Sequence, residues 1–120
     1  MNNLSFNKLN IEVKEEEENN LVRVIWSGTS DDISPSKILT PFLSNIADKI
    51  GTKKLSIELY DLEFMNSSTV PPIVQFIKYC SQKNIEILIL YSSSKEWQKF
   101  SFKSFETFAI VYKNLKINAV

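Results

Sequence analysis

The stretch from Leu55 to Ser81, LSIELYDLEFMNSSTVPPIVQFIKYCS, constrains the fold more than any other part of the chain. Leu55, Ile57 and Leu59 alternate with Ser56, Glu58 and Tyr60, the two-residue period of a strand. Adjacent prolines at 71 and 72 fit a helix only in its first turn, where amide hydrogens have no intrahelical acceptor. A helix spanning about 69–82 must therefore begin between Ser67 and Val70, with Met65-Asn66-Ser67-Ser68-Thr69 as the junction in front of it. Asparagine, serine and threonine accept hydrogen bonds from the unpaired N–H groups of a helix start, so this is the composition of a cap. The same N–H groups and the helix dipole favour negative charge. A phosphoryl group on Ser67 or Ser68 would add up to about two charges and leave the helix behind it intact.

The rest of the chain reads as alternating strands and helices. Leu9, Ile11 and Val13 alternate with polar residues, and Leu21 to Trp26 is a second apolar run. Together they predict an antiparallel hairpin turning around Asn19-Asn20, with Glu15 to Glu18 as its solvated, charged end. Ile38, Leu39, Phe42, Leu43, Ile46 and Ile50 recur at helical spacing, and Gly51 stands just past the helix end. Pro41 leaves two starts for this helix: a cap at Ser34 with a kink at Pro41, or a cap at Thr40 with Pro41 as first residue. The second is simpler because it avoids an interior proline.

Val70, Ile73, Val74, Ile77 and Cys80 share one helical face, where Cys80 reads as a small core residue; Phe76 and Tyr79 fall to its side, either widening the core contact or forming a partner surface. Ile85 to Leu90 is nearly continuous apolar sequence and predicts a central strand buried on both faces. Ser93 and Glu96 have capping-box spacing. Trp97, Phe100, Phe105, Phe108, Ala109 and Tyr112 supply aromatic core along one or two helices interrupted near Ser101 to Ser104, and Leu115, Ile117 and Ala119 predict a last edge strand. The sum is an α/β fold, a mixed sheet of four or five strands with helices packed against it.

Composition narrows the function. A chain of 120 residues is the size of one domain, residues 1–120, with disorder expected only over residues 1–8. Fourteen basic and fourteen acidic residues cancel, which disfavours nucleic acid as a partner. The absence of histidine removes the usual general base and most zinc sites, and no metal or cofactor is expected. Asp61 and Glu63 read as turn and surface residues without a pocket, so an enzyme is the weaker class. Ser27-Gly28-Thr29-Ser30-Asp31-Asp32 lacks the spacing of a phosphate or calcium loop. One cysteine, no run of about 20 apolar residues and no signal-peptide pattern point to the cytoplasm and away from a membrane.

Asp61-Leu62-Glu63-Phe64-Met65-Asn66-Ser67-Ser68-Thr69-Val70, followed by an amphipathic helix, resembles the strand-loop-helix signature of STAS domains, the fold of bacterial anti-sigma factor antagonists. In that family the loop reads Asp-Ser-Ser-Gly or Asp-Ser-Thr-Gly, and the first hydroxyl residue after the aspartate is phosphorylated by the partner anti-sigma factor kinase. The resemblance places the phosphoacceptor at Ser67, with Ser68 as the alternative, and the partner-binding surface at Asn66, Ser67, Ser68, Thr69 and Val70. Asn66 stands where the family has an acid and Thr69 where it has glycine. The implied function is a cytoplasmic interaction module that binds an anti-sigma factor or related serine kinase and is reset by a phosphatase. The alternative is a constitutive protein- or small-ligand-binding module in which the loop only caps the helix, through Ser68 or Thr69.

Overall fold

The computed structural model describes residues 1–120. Seven strands and four helices follow in the order β1 (Leu4–Phe6), β2 (Leu9–Glu16), β3 (Leu21–Ser30), α1 (Ser36–Lys49), β4 (Lys54–Glu58), β5 (Leu62–Met65), α2 (Val70–Gln82), β6 (Ile87–Tyr91), α3 (Glu96–Lys103), α4 (Glu106–Val111) and β7 (Leu115–Ala119). One sheet contains all strands in the order β1-β2-β3-β4-β6-β7, and β5 lies on β3 beyond the end of β4. The pairs β1–β2 and β2–β3 are antiparallel, and every other pair is parallel. A short 3₁₀ turn at Glu17–Asn19 and a left-handed Asn20 (φ 52°) reverse the chain between β2 and β3. Asparagine visits this conformation more readily than most residues, and here its Nδ2 donates to the Thr52 carbonyl at 3.2 Å.

The α/β class expected from the sequence is observed, with two more strands. The additions, β1 and β5, have three and four residues, too few for a two-residue period to stand out. β1 also corrects the expectation for residues 1–8: Leu4, Ser5 and Phe6 pair with Ile11, Asn10 and Leu9, which adds an edge strand to the hairpin. α1 runs through Pro41 and does not start there. Pro41 and Lys37, whose carbonyl loses its helical partner, are both exposed, so the interior proline falls on the solvent side of the helix, where an orphaned carbonyl costs least.

Val22, Val24 and Trp26 of β3, Leu55 and Ile57 of β4, and Ile87 and Ile89 of β6 face the helices within one cluster of 26 buried hydrophobic residues. Leu39, Leu43 and Ile46 of α1, Ile73, Phe76 and Ile77 of α2 and Phe102 of α3 complete it, and Cys80 is fully enclosed. Phe76 is therefore core, whereas Tyr79 donates its hydroxyl to Asp48 of α1 at 2.5 Å.

The opposite face of the sheet is different. Its cross-strand rows are Arg23, Ser56, Leu88, Lys116 and Ile25, Glu58, Leu90, Asn118. Ile25, Leu88 and Leu90 stay half-exposed and none joins the core, so β6 is buried on one face and not on both. Glu58 lies in the middle of this face and is only 4% exposed. Arg23 meets it with Nε and Nη2 at 2.7 and 2.8 Å, and Tyr60 donates its hydroxyl at 2.5 Å. The Arg23 guanidinium holds the Glu58 carboxyl below the usual glutamate range, against the opposing effect of burial.

Candidate functional site

The junction Asn66–Val70 lies where β5 leaves the sheet. A 3₁₀ turn, Ser67–Thr69, leads into α2, and Asn66 is extended (φ −80°, ψ 170°) in front of it. The cap is Asn66 and neither Ser68 nor Thr69. Its Oδ1 accepts from the Thr69 backbone N–H at 3.1 Å and from Thr69 Oγ1 at 2.7 Å. Its Nδ2 donates to the carbonyl of Asp32 at 2.7 Å. Thr69 is fully buried, and its hydroxyl also lies 2.7 Å from Ser30 Oγ. The asparagine thus pins α2 to the end of β3 with both ends of its amide, and a carboxylate has no hydrogen to give Asp32.

Ser67 and Ser68 are placed differently. Ser67 is exposed, Ser68 is half-buried, and no protein group engages either hydroxyl. Val70 is half-buried at the start of α2, where its N–H bonds to the Ser67 carbonyl. Next to Ser67 runs a groove of about 640 Å³, with Met65, Ser67 and Val70 on one wall and Phe100, Lys103 and Phe105 on the other. No carboxylate lines it. Phe100 is 87% exposed, which corrects its expected place in the aromatic core. Ile33, 90% exposed, adjoins Asp32 on the other side of the junction.

The far wall is held by a residue that the sequence reading passed over. Gln98 of α3 is fully buried; its Nε2 donates to the carbonyls of Leu59 at 2.6 Å and Leu62 at 2.8 Å, and its Oε1 accepts from the Ser92 N–H at 2.7 Å. It ties α3 to the turn between β4 and β5 and to the end of β6. The signal was present, since Gln98 precedes Phe102 by one helical turn on the buried stripe, where a glutamine must find partners. The expected capping box of Ser93 and Glu96 does not form: Lys95 precedes the helix, and the Ser93 hydroxyl donates to the Val120 carbonyl at 2.8 Å. Asp61 and Glu63 are exposed, on the turn before β5 and on β5 itself. No helix of the protein is long and apolar enough to cross a membrane.

No protein-family model matches the sequence, and no curated protein matches it significantly. Solved structures do match. The chain is similar to an anti-sigma factor antagonist from Mycobacterium paratuberculosis, at 13% identity and a TM-score of 0.64, over 88% of this chain and 86% of that one. It is also similar to the anti-sigma factor antagonist SpoIIAA in its unphosphorylated form, at 15% identity and a TM-score of 0.55, over 84% of this chain and 96% of that one. The STAS-like fold expected from the sequence is thus the fold of the chain.

Proposed function

From this fold we propose that the chain is a regulatory interaction module, an anti-sigma factor antagonist, whose grip on its partner is broken by phosphorylation of Ser67. The observation that carries the reading is a division of labour within the junction. Asn66 is consumed by capping and Thr69 by burial, while Ser67 offers an exposed, unengaged hydroxyl at a helix start. Exposed Phe100 shares the groove with it, exposed Ile33 follows the Asp32 that Asn66 holds, and apolar side chains beside a small polar centre make a surface suited to another protein.

In this mechanism the unmodified junction docks on an anti-sigma factor or related serine kinase through Asn66, Ser67, Ser68 and Val70, with Thr69 beneath them. The interface closes over a neutral hydroxyl. Transfer of a phosphoryl group to Ser67 adds up to about two negative charges, which cost desolvation and repel carboxylates of the partner. The free N–H groups at the start of α2 tolerate that charge, so the switch alters the surface and spares the fold. A phosphatase restores the hydroxyl. Ser68, half-buried, is the less accessible acceptor. The cytoplasm, where such partners and ATP occur, is the matching compartment.

Mass spectrometry of the tryptic peptide Leu55 to Lys78 from protein made in its own cells tests this reading. Phosphate on Ser67 is expected, and a peptide unmodified under every growth condition overturns the switch. A second reading, a constitutive binding module, draws on the completeness of the Asn66 cap, which leaves the loop ordered without any phosphate. It requires that Ser67→Asp bind the partner as tightly as the wild type.

A further inference from the structure

Sheets built wholly of parallel strands nearly always carry a layer on both faces. Here β3, β4, β6 and β7 are parallel to one another, yet helices cover one face only. On the open face, at the starting ends of β4, β6 and β7, lies a depression of about 320 Å³. Its apolar surface includes Leu21 and the half-exposed Leu88, and neither belongs to the core. Asn114 and Asn118 add amide groups at one side.

The charges around this depression are unequal. Lys54, Lys113 and Lys116 line it against a single carboxylate, Glu86, which lies 3.4 Å from Lys54. Lys113 and Lys116 are exposed and take part in no ion pair or hydrogen bond of their side chains within the protein. An apolar floor bordered by two uncommitted ammonium groups is complementary to a molecule with an apolar body and one anionic head. The volume is at the small end of the range for ligand sites.

We propose that this depression binds a small anionic amphiphile, its hydrocarbon portion on Leu21 and Leu88 and its head group between Lys113 and Lys116. The site opens at the starts of the parallel strands, whereas Ser67 follows the end of β5, so the proposal stands apart from the Ser67 switch. Ammonium groups accept a carboxylate or a phosphate alike, and the test separates the two sources.

The full chain is titrated with octanoate, octyl phosphate, butyrate and octyltrimethylammonium while backbone amide shifts are followed by NMR. Octanoate, octyl phosphate or both are expected to move the amides of Ser56, Leu88, Lys116 and Asn118 in a saturable way. Binding by only one of the two anions identifies the head group. Butyrate, with the same charge and little apolar body, is expected to bind at least several-fold more weakly than octanoate. The double variant Lys113→Glu, Lys116→Glu is expected to keep its circular dichroism and lose roughly tenfold or more in affinity for the anions. Equal binding of the ammonium amphiphile, shifts centred elsewhere, or undiminished affinity in the double variant overturns the proposal. So does a dimer, detected by sedimentation and by dilution-dependent shifts of these same amides in ligand-free protein, because a second copy would then cover the face.

Discussion

Asn66 decides the geometry around Ser67, because its amide accepts from Thr69 at the start of α2 and donates to the Asp32 carbonyl beyond the end of β3. An aspartate there keeps the bonds from Thr69 and places a carboxylate oxygen against the Asp32 carbonyl, with no hydrogen between them. Asn66→Asp is therefore expected to lower stability by about 1–2 kcal/mol, although the change restores the acid of the resembling loop pattern. Ser67→Ala, at an exposed and unengaged position, is expected to stay within about 0.5 kcal/mol. Urea denaturation of the two variants beside the wild type checks both.

A second residue pair sets the acid limb of stability. Glu58 titrates below its ordinary value in the folded protein because Arg23 donates two hydrogen bonds to it. Its contribution is therefore complete above the ordinary glutamate value and disappears as pH falls through the lowered one. Wild type is expected to lose melting temperature more steeply below about pH 4 than Glu58→Gln does. Arg23→Ala leaves the enclosed carboxylate with only the Tyr60 and Ser56 hydroxyls as donors, at a cost of about 2–3 kcal/mol, below the usual range for a broken buried pair because the outer edge of Arg23 touches water.

Among the elements, β3 carries the largest share of the organisation, since β2 pairs along one edge and β4 and β5 share the other. Gly28 is the position where that arrangement is tightest. It has φ 82°, its register with β5 shifts between Gly28 and Thr29, and a Cβ built on it would come within 2.1 Å of the Lys8 carbonyl oxygen. Both the backbone conformation and the contact require glycine. Gly28→Ala is expected to cost at least about 2 kcal/mol, read by thermal melting, because the β2–β3 ladder must part to admit the methyl group. Such a glycine is legible in the sequence only as loop chemistry. The close approach arises from Lys8, twenty residues earlier by number and adjacent only through the hairpin register.

At the scale of the whole molecule, one layer of helices over one face of the sheet leaves a single enclosed core, and Cys80 reports on it. The thiol is fully buried, and burial pushes its pKa up to about 12, so at neutral pH it is neither ionised nor reachable. Labelling of Cys80 by a disulfide reagent is expected to be slow under native conditions and to accelerate in step with urea unfolding. Rapid stoichiometric labelling of the native protein would contradict the packing of α2 on the sheet. Ser67→Asp belongs to this scale as well: it is expected to leave the melting curve unchanged and to weaken partner binding, measured by titration calorimetry.

The sequence by itself determined the elements whose signals are local. The alternation in β2 and β4 and the apolar runs of β3 and β6 marked the longer strands, and the stripe Ile73, Ile77, Cys80 marked the buried face of α2. The proline pair set the start of that helix to within a few residues. Periodicity and proline stereochemistry act over a turn or two of chain, so no distant residue is needed to read them. Only the tertiary structure decided which junction residue caps, which sinks and which stays free. Asp32 and Ser30, the partners of Asn66 and Thr69, lie 34 and 39 residues away in sequence and are carried to the junction by the parallel pairing of β3 with β5. The open face of the sheet belongs to the same class. A strand with apolar residues on both sides reads alike whether a second layer covers it or water does, and the packing of all the helices on one side settled which.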